Sequence, residues 1–274
     1  MYRQFSVTNA KGISFNMTRE DAFFSDPKGL GTKAKNTYTA LGCSYANTKE
    51  SVAQKNPQGT MMFEGYEQYN EFMDVIKYRP LILKYTPFEG CDLYIECDAY
   101  EITKGEREKS GRLKCPIKFF ATSTWYKEIV AYKNETTAVG KVYPYTYQYA
   151  YVENKVGTIS FNNQSNIPAY VKLSFLGPAE NPKWILTKNK EIVLEGKINI
   201  SIPEGQRIIV NSDPLKMEIA IYDNYGKLVE DAYEKSDFST ERFIYLPIGE
   251  STLTCSHEGD QEIKVWAEVK ENVE

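Results

Sequence analysis

Histidine is almost missing from this chain: His257 is the single one in 274 residues. A Ser-His-Asp or Cys-His nucleophile system, a histidine zinc protease or a histidine metal site needs partners that one imidazole in a Ser256-His257-Glu258-Gly259-Asp260 turn does not have. Cysteine is scarce too. Cys43, Cys91, Cys97, Cys115 and Cys255 are odd in number and none stands in a C-x-x-C pair, which removes a disulfide framework and a zinc knuckle and implies reduced, mostly buried thiols. No metal and no cofactor is expected. A basic excess is also absent. With 33 Lys and Arg against 37 Asp and Glu, the net charge of -4 offers no field to a phosphate backbone, so no specific nucleic-acid contact is expected. No stretch approaches the roughly 18 consecutive apolar residues of a membrane span, and MYRQFSVTNAKG lacks an apolar run of signal-peptide length. The expectation is a soluble protein made in the cytoplasm, without a membrane partner, in which the Asn-x-Ser/Thr matches at Asn16, Asn134, Asn163 and Asn199 carry no meaning.

What is present is ordinary globular composition, 42% hydrophobic and 26% charged, at a length that exceeds one usual core and so predicts two domains. The unusual residue is tyrosine, with 21 copies; its apolar ring and polar tip suit strands, half-buried faces and protein interfaces.

Phe5 and Val7, then Ile13, Phe15 and Met17, alternate on either side of Asn9-Ala10-Lys11-Gly12, which predicts a β-hairpin with one apolar face. Pro27, Gly29 and Gly31 then stop any strand. From Lys33 to Gln58 the chain is polar and reads as a loop or arm, with at most a short strand at Tyr38 and Leu41 to Tyr45. GYEQYNEFMDVIKY is a helix, with Tyr66, Tyr69, Phe72, Met73 and Ile76 forming one stripe and Glu67, Asn70, Glu71 and Asp74 outside it. Such a stripe is core packing rather than a cofactor box. Leu81 to Tyr85, Asp92 to Ile102 and Arg112 to Phe120 read as strands. Glu96, Asp98 and Glu101 would invite acid/base chemistry, but alternation puts Leu93, Ile95, Cys97 and Ala99 on one face and Glu96 and Asp98 on a solvated one.

Taken together, NAKGISFNMT, FFSDPKGLG, an aromatic helix leading into RPLILKYTPF, and a strand, charged turn and strand closing on Ser123-Thr124-Trp125-Tyr126 resemble the N-terminal domain of siphophage distal tail proteins. The order and spacing of these pieces over about 125 residues carries the resemblance. It implies a β-rich domain with one helix, over 1–130, that assembles into a ring, usually of six subunits, at the distal end of the tail tube. Phe23, Phe24, Gly29, Leu30 and Gly31 would then lie near subunit contacts, and the 33–58 stretch would be either the arm that grips a neighbour or a solvated loop.

Beyond this domain, Tyr143, Tyr145, Tyr147, Tyr149 and Tyr151 occupy every second position and would share one strand face, as a sugar platform or, the favoured reading, as a strand packed on its neighbours. From Gly157 onward GTISFNN, YVKLSFLG, KWILT, EIVLEG, INISI, RIIVNS, MEIAIYD, FIYLPIG, STLTCS and EIKVWAEV recur at short intervals between turn residues, which predicts an antiparallel sandwich. FNN, IPA, LGP and PEGQ within it again resemble distal tail proteins, here their galectin-like C-terminal domain over 131–274; Pro247-Ile248-Gly249-Glu250 departs from the family's Pro-Gly-x-Asn turn. Trp184, Trp266 and His257 do not make up a galectin's clustered sugar-binding set.

The resemblance implies a mainly β, non-enzymatic structural protein of the virion tail, assembled in the host cytoplasm. Its partners would be itself, the tail tube protein and a tail-tip, tail-associated or receptor-binding protein. A carbohydrate-binding adhesion module is the alternative; a glycosidase, which needs two carboxylates facing one cleft, comes last.

Overall fold

A computed structural model describes residues 3–31, 34–132, 156–259 and 261–273; the tyrosine row of 143–151 lies outside them. The chain is mainly β with a single α-helix among the described residues, and it divides into two compact units, one running to Glu128 and taking in the last residues from Asn272, the other Ile129–Glu271.

In the first unit, β1 (Gln4–Thr8), β2 (Ser14–Asn16), β3 (Ala22–Lys28), β4 (Ala34–Leu41), β5 (Ser44–Val52) and β6 (Gln58–Phe63) precede helix α1 (Tyr66–Ile76). β7 (Leu81–Thr86), β8 (Leu93–Ile102) and β9 (Leu113–Ala121) follow it, and β10 (Tyr126–Tyr132) begins in this unit and ends in the second. Seven of these strands pair antiparallel in the order β2-β1-β7-β8-β9-β6-β3. The sheet curls until β3 returns to the end of β2: the Phe24 N–H donates to the Met17 carbonyl at 2.8 Å, and the Phe5 and Phe24 rings meet edge to face at 5.1 Å. Phe15, Met17, Met61, Phe63, Leu83 and Phe119 fill the enclosed core.

The opening hairpin forms as expected, and Asn9 explains why it holds. Its Oδ1 accepts from the N–H groups of Lys11 (2.9 Å) and Ile13 (3.0 Å), while its Nδ2 donates to the Val75 carbonyl near the end of α1 at 3.0 Å. One buried side chain thus closes the turn and fastens it to the helix. Asn9→Ala would leave those backbone groups unmatched, and a loss of about 1–3 kcal/mol is expected in urea unfolding of the first unit. Ile13 breaks the expected apolar alternation: it belongs to the turn and is exposed.

Three further expectations need correction. β3 runs through Pro27 rather than stopping before it, because its bonds on the side away from β6 lie at Phe23 and Phe24, so a missing N–H at Pro27 costs little, and a bulge between Ser25 and Lys28 absorbs Asp26 and Pro27. On α1 the buried side chains are Phe72, Val75 and Ile76, with Tyr69 and Met73 leaning on the core; Tyr66 is exposed under the Lys104 ammonium, 4.8 Å from its ring centroid. Glu96 is buried, not solvated. The 122–123 segment is bonded to its backbone, through the Ser123 Oγ at 2.9 Å and the Thr122 N–H at 2.8 Å. Leu93, Ile95 and Cys97 face inward as expected, but a bulge between Cys97 and Ala99 then shifts the inward positions to Tyr100 and Ile102, so Ala99 leaves the expected face and, of the two carboxylates, only Asp98 is solvated.

The second unit holds β11 (Val156–Asn163), β12 (Ala169–Leu176), β13 (Ala179–Glu180), β14 (Lys183–Lys188), β15 (Glu191–Lys197), β16 (Ser201–Ile202) and β17 (Gln206–Asn211). They are followed by β18 (Glu218–Asp223), β19 (Leu228–Asp231), β20 (Tyr245–Leu246), β21 (Gly249–Ser256) and β22 (Lys264–Asn272). One sheet carries β19-β18-β17-β12-β22, with β20 also on β12, and the other carries β11-β21-β14-β15. Their facing sides share one core that includes Phe175, Trp184, Leu186, Ile208, Leu253 and Val265, which makes the unit the antiparallel sandwich expected. β13 and β19 are not legible as strands in the sequence, INISI contributes only Ser201–Ile202, and FIYLPIG contributes Tyr245–Leu246 and the first residue of β21, Gly249.

His257 is buried and structural: its Nε2 lies 2.8 Å from the Gln261 carbonyl, and its Nδ1 accepts from the Gly259 N–H at 3.2 Å. Asp213 Oδ2 accepts from Lys270 Nζ at 3.0 Å and its Oδ1 from the Leu215 N–H at 3.1 Å. Burial alone would raise this carboxyl, but those two donors outweigh it and hold it below the ordinary range. A depressed folded value means stability present above the unfolded value and lost as pH falls through the folded one, so the second unit is expected to weaken below about pH 4. Thermal melts of Asp213→Asn should show a shallower acid limb than wild type.

Candidate assembly surface at the glycine clasp

The five residues predicted near subunit contacts do not share one environment. Phe24 is 1% exposed and part of the core, while Phe23, one position along β3, points out at 37%. Leu30 leans on the core from the rim. Gly29 and Gly31 both have φ +78°, the left-handed region that glycine enters without strain. Their surroundings differ. A Cβ on Gly29 would stand 2.5 Å from the Asn56 carbonyl oxygen and 2.9 Å from its carbon, whereas one on Gly31 would meet nothing within 4 Å.

The 29–31 segment is held from several directions. Trp125 Nε1–H donates to the Gly29 carbonyl at 3.0 Å, with the indole edge-on to Tyr85 at 6.0 Å. Lys55 Nζ donates to the Leu30 carbonyl at 3.3 Å, and Asn56 Oδ1 accepts from the Ala121 N–H at 3.0 Å. Residues 29–31 lead into β4 and residues 54–57 lead out of β5. The clasp is therefore the root from which a hairpin projects.

That hairpin is the 33–58 stretch for which loop and arm were both open. β4 and β5 pair over eight positions as a two-stranded sheet of their own, turning at Gly42-Cys43. Ala40 stands opposite Tyr45 and Tyr38 opposite Asn47, so both tyrosines share one face. Tyr38 is 58%, Leu41 62% and Tyr45 76% exposed. A lone two-stranded hairpin is marginally stable in water. Among the described residues neither core takes in any side chain of this hairpin, whose strands are also bridged by side-chain bonds such as Thr48 Oγ1 to the Thr37 carbonyl at 3.1 Å and Ser51 Oγ to the Lys35 carbonyl at 3.2 Å.

Among the described residues no group of three or more His, Cys, Asp or Glu could hold a metal, and all five cysteines are free: Cys97, Cys115 and Cys255 buried, Cys91 partly so, Cys43 exposed at the hairpin tip. Burial pushes the Cys97 thiol up to about 12. A cleft of about 320 Å³ beside the β3 bulge carries Asp26 and Glu101, but each has a lysine in the same lining, Lys28 and Lys118, and Glu101 faces Lys118 across the β8–β9 pairing.

Residues 4–122 match the family model described as "Distal tail protein, N-terminal domain". Over the whole chain the fold is similar to a chain of the phage P2 baseplate in its activated conformation with Ca, at 15% identity and TM-score 0.69, covering 100% of this chain and 99% of that one. It is also similar to the SPP1 Dit (gp 19.1) protein, titled "a Paradigm of Hub Adsorption Apparatus in Gram-positive Infecting Phages", at 11% identity and TM-score 0.60, covering 97% and 98%. A search of curated protein sequences finds no match. The resemblance read from the sequence is borne out over residues 4–122, which match the distal tail protein N-terminal domain, and the whole chain is similar in fold to the phage P2 baseplate chain and to SPP1 Dit.

Proposed function

We propose that this protein is a structural hub of a phage tail that closes with copies of itself into a ring of six, joins the tail tube to the tip or baseplate, and acts through surfaces rather than chemistry. The observation that carries the reading is the β4–β5 hairpin, which exposes two tyrosines and a leucine on a scaffold its own subunit leaves unsupported. Laid on the next subunit, each arm makes a heterologous contact, and six such contacts close if the rotation between neighbours is one sixth of a turn. Phe23, on the outer side of β3, and the open Gly31 belong to this surface; Phe24 and Gly29 support it from beneath. DNA passes through the lumen without specific contact, in keeping with the net charge of -4. Assembly takes place in the host cytoplasm, with the tail tube protein on one side of the ring and a tail-tip, tail-associated or receptor-binding protein on the other.

Negative-stain images of the protein mixed with its tail tube protein test the reading. Annular particles capping tube ends are expected; bare tube ends beside scattered single subunits would contradict it.

A further inference from the structure

The chain between β19 and β20 builds an aromatic ladder on the second unit. Phe243 packs against the sandwich core, Tyr233 stacks on Phe243 at 6.4 Å, and Phe238 meets the Tyr233 ring edge to face at 5.8 Å. The ladder leads outward, with Tyr233 38% and Phe238 58% exposed. Its scaffold is fixed. The Asn199 N–H donates to the Lys235 carbonyl at 2.8 Å and the Asp237 N–H to the Lys197 carbonyl at 2.9 Å, while Asp237 Oδ1 accepts from the Ser239 N–H at 2.9 Å and from the Ser239 hydroxyl at 2.6 Å.

Arg242 lies on this ladder. Its guanidinium carbon stands 4.7 Å from the Phe238 ring centroid and 5.3 Å from that of Tyr233, within the range at which aromatic rings hold a cation. Beyond these rings it makes no hydrogen bond and no ion pair with any described residue. The nearby cations are taken, Lys235 by Glu230 and Lys197 by Glu258. A guanidinium carries five N–H donors in one plane and no acceptor, so Arg242 keeps its whole donor set for a group from outside the chain.

We infer that this patch docks another tail protein, which sets one Asp or Glu carboxylate on the Arg242 guanidinium and apolar side chains on Phe238 and Tyr233. A carboxylate is the complement in charge and shape, because its two oxygens match the guanidinium fork with parallel bonds. A small anion would leave the exposed Phe238 ring in water, whereas a protein surface covers it. Asp231, Glu234 and Glu241, exposed and close along the chain, repel a broadly acidic surface, so the partner's carboxylate is a single one among apolar and basic residues. Tyrosine and arginine are the residues on which binding energy concentrates, and the fixed scaffold keeps the ordering cost low. The inference rests on the hub reading only in taking its partner from the phage tail; the arm that carries that reading has no part in it.

The test places the photo-crosslinker p-benzoylphenylalanine at position 238 of the full-length protein, mixes it with the tail tube protein and the tail-tip protein, and maps crosslinks by mass spectrometry. A crosslink to one of these two, in a segment that holds an Asp or Glu beside apolar residues, is expected. Calorimetry with that partner should then show binding weakened about tenfold or more by Arg242→Gln and by Phe238→Ala, with Arg242→Lys also weakened because it loses the planar fork. Changing the partner's carboxylate to its amide should cost as much against wild type and nothing further against Arg242→Gln. Melting curves establish that each variant is folded; if Arg242→Gln is not, Arg242→Lys decides. No crosslink, a crosslink only to another copy of this chain, or one to a segment without a carboxylate overturns the inference. So does a lower melting temperature in Arg242→Gln and Phe238→Ala with binding unchanged, which would make the ladder loop packing alone. Light scattering of the same samples keeps the two readings apart: a wild type that crosslinks without forming rings ends the ring and leaves this site, and rings without a crosslink do the reverse.

Discussion

Gly29→Val is expected to unfold the first unit while the second melts as in wild type. At φ +78° a β-branched side chain is strained, and its Cβ would be driven into the Asn56 backbone, which cannot yield like a flexible side chain. Strain plus overpacking amounts to about 3–5 kcal/mol, a large share of a small unit's stability. The Trp125 bond to the Gly29 carbonyl would go with it, and so would the root of the arm. Gly31→Val shares the φ but has open space, so about 1–2 kcal/mol of strain is expected and the unit stays folded. Differential scanning calorimetry separates the two: Gly29→Val should lose one transition, Gly31→Val neither. A Gly29→Val protein with both transitions at their wild-type temperatures would mean that the clasp is not packed under Asn56 as described.

The combined Tyr38→Ser, Leu41→Ser, Tyr45→Ser variant is expected to do the opposite, leaving folding alone and abolishing assembly. None of the three side chains belongs to either core. If each is buried on a neighbour, about 1.5–3 kcal/mol per side chain disappears from every subunit contact, enough to weaken association a thousandfold or more. Cys43, exposed at the turn between the two strands, gives a second readout: maleimide should label it rapidly in the variant and slowly in assembled wild type. Equal labelling and equal assembly in both would remove the arm from the interface.

Much of the fold could be read from periodicity, and the places where it could not share a cause. The opening hairpin, α1 and most sandwich strands bury one side, so apolar residues recur along them at the spacing of a strand or helix. The β4–β5 arm adds no side chain to either core among the described residues, so its sequence carries no alternating apolar pattern and reads as polar chain. β19 is exposed at all four positions and was invisible for the same reason. Bulges account for other differences, since the extra residue near Asp98 and at Asp26-Pro27 resets which side chains face inward. For the candidate surface, the sequence singled out the segment but not how burial divides within it. Nothing in FFSDPKGLG distinguishes Phe24 in the core from Phe23 on the surface, or Gly29 under a backbone from Gly31 in open space; that depends on Asn56 and Trp125, which are distant in sequence. Trp184 and Trp266 were likewise indistinguishable until the strand register placed one inside the sandwich and the other on its outer face.

As a proposed ring-forming hub, this chain would hold the next subunit with its arm. Light scattering of the purified wild-type protein at tens of micromolar, run beside the triple arm variant, tests it most directly. The account predicts six chain masses for wild type and one for the variant. A wild-type protein that remains a single chain at that concentration, or a variant that assembles as well as wild type, would contradict it.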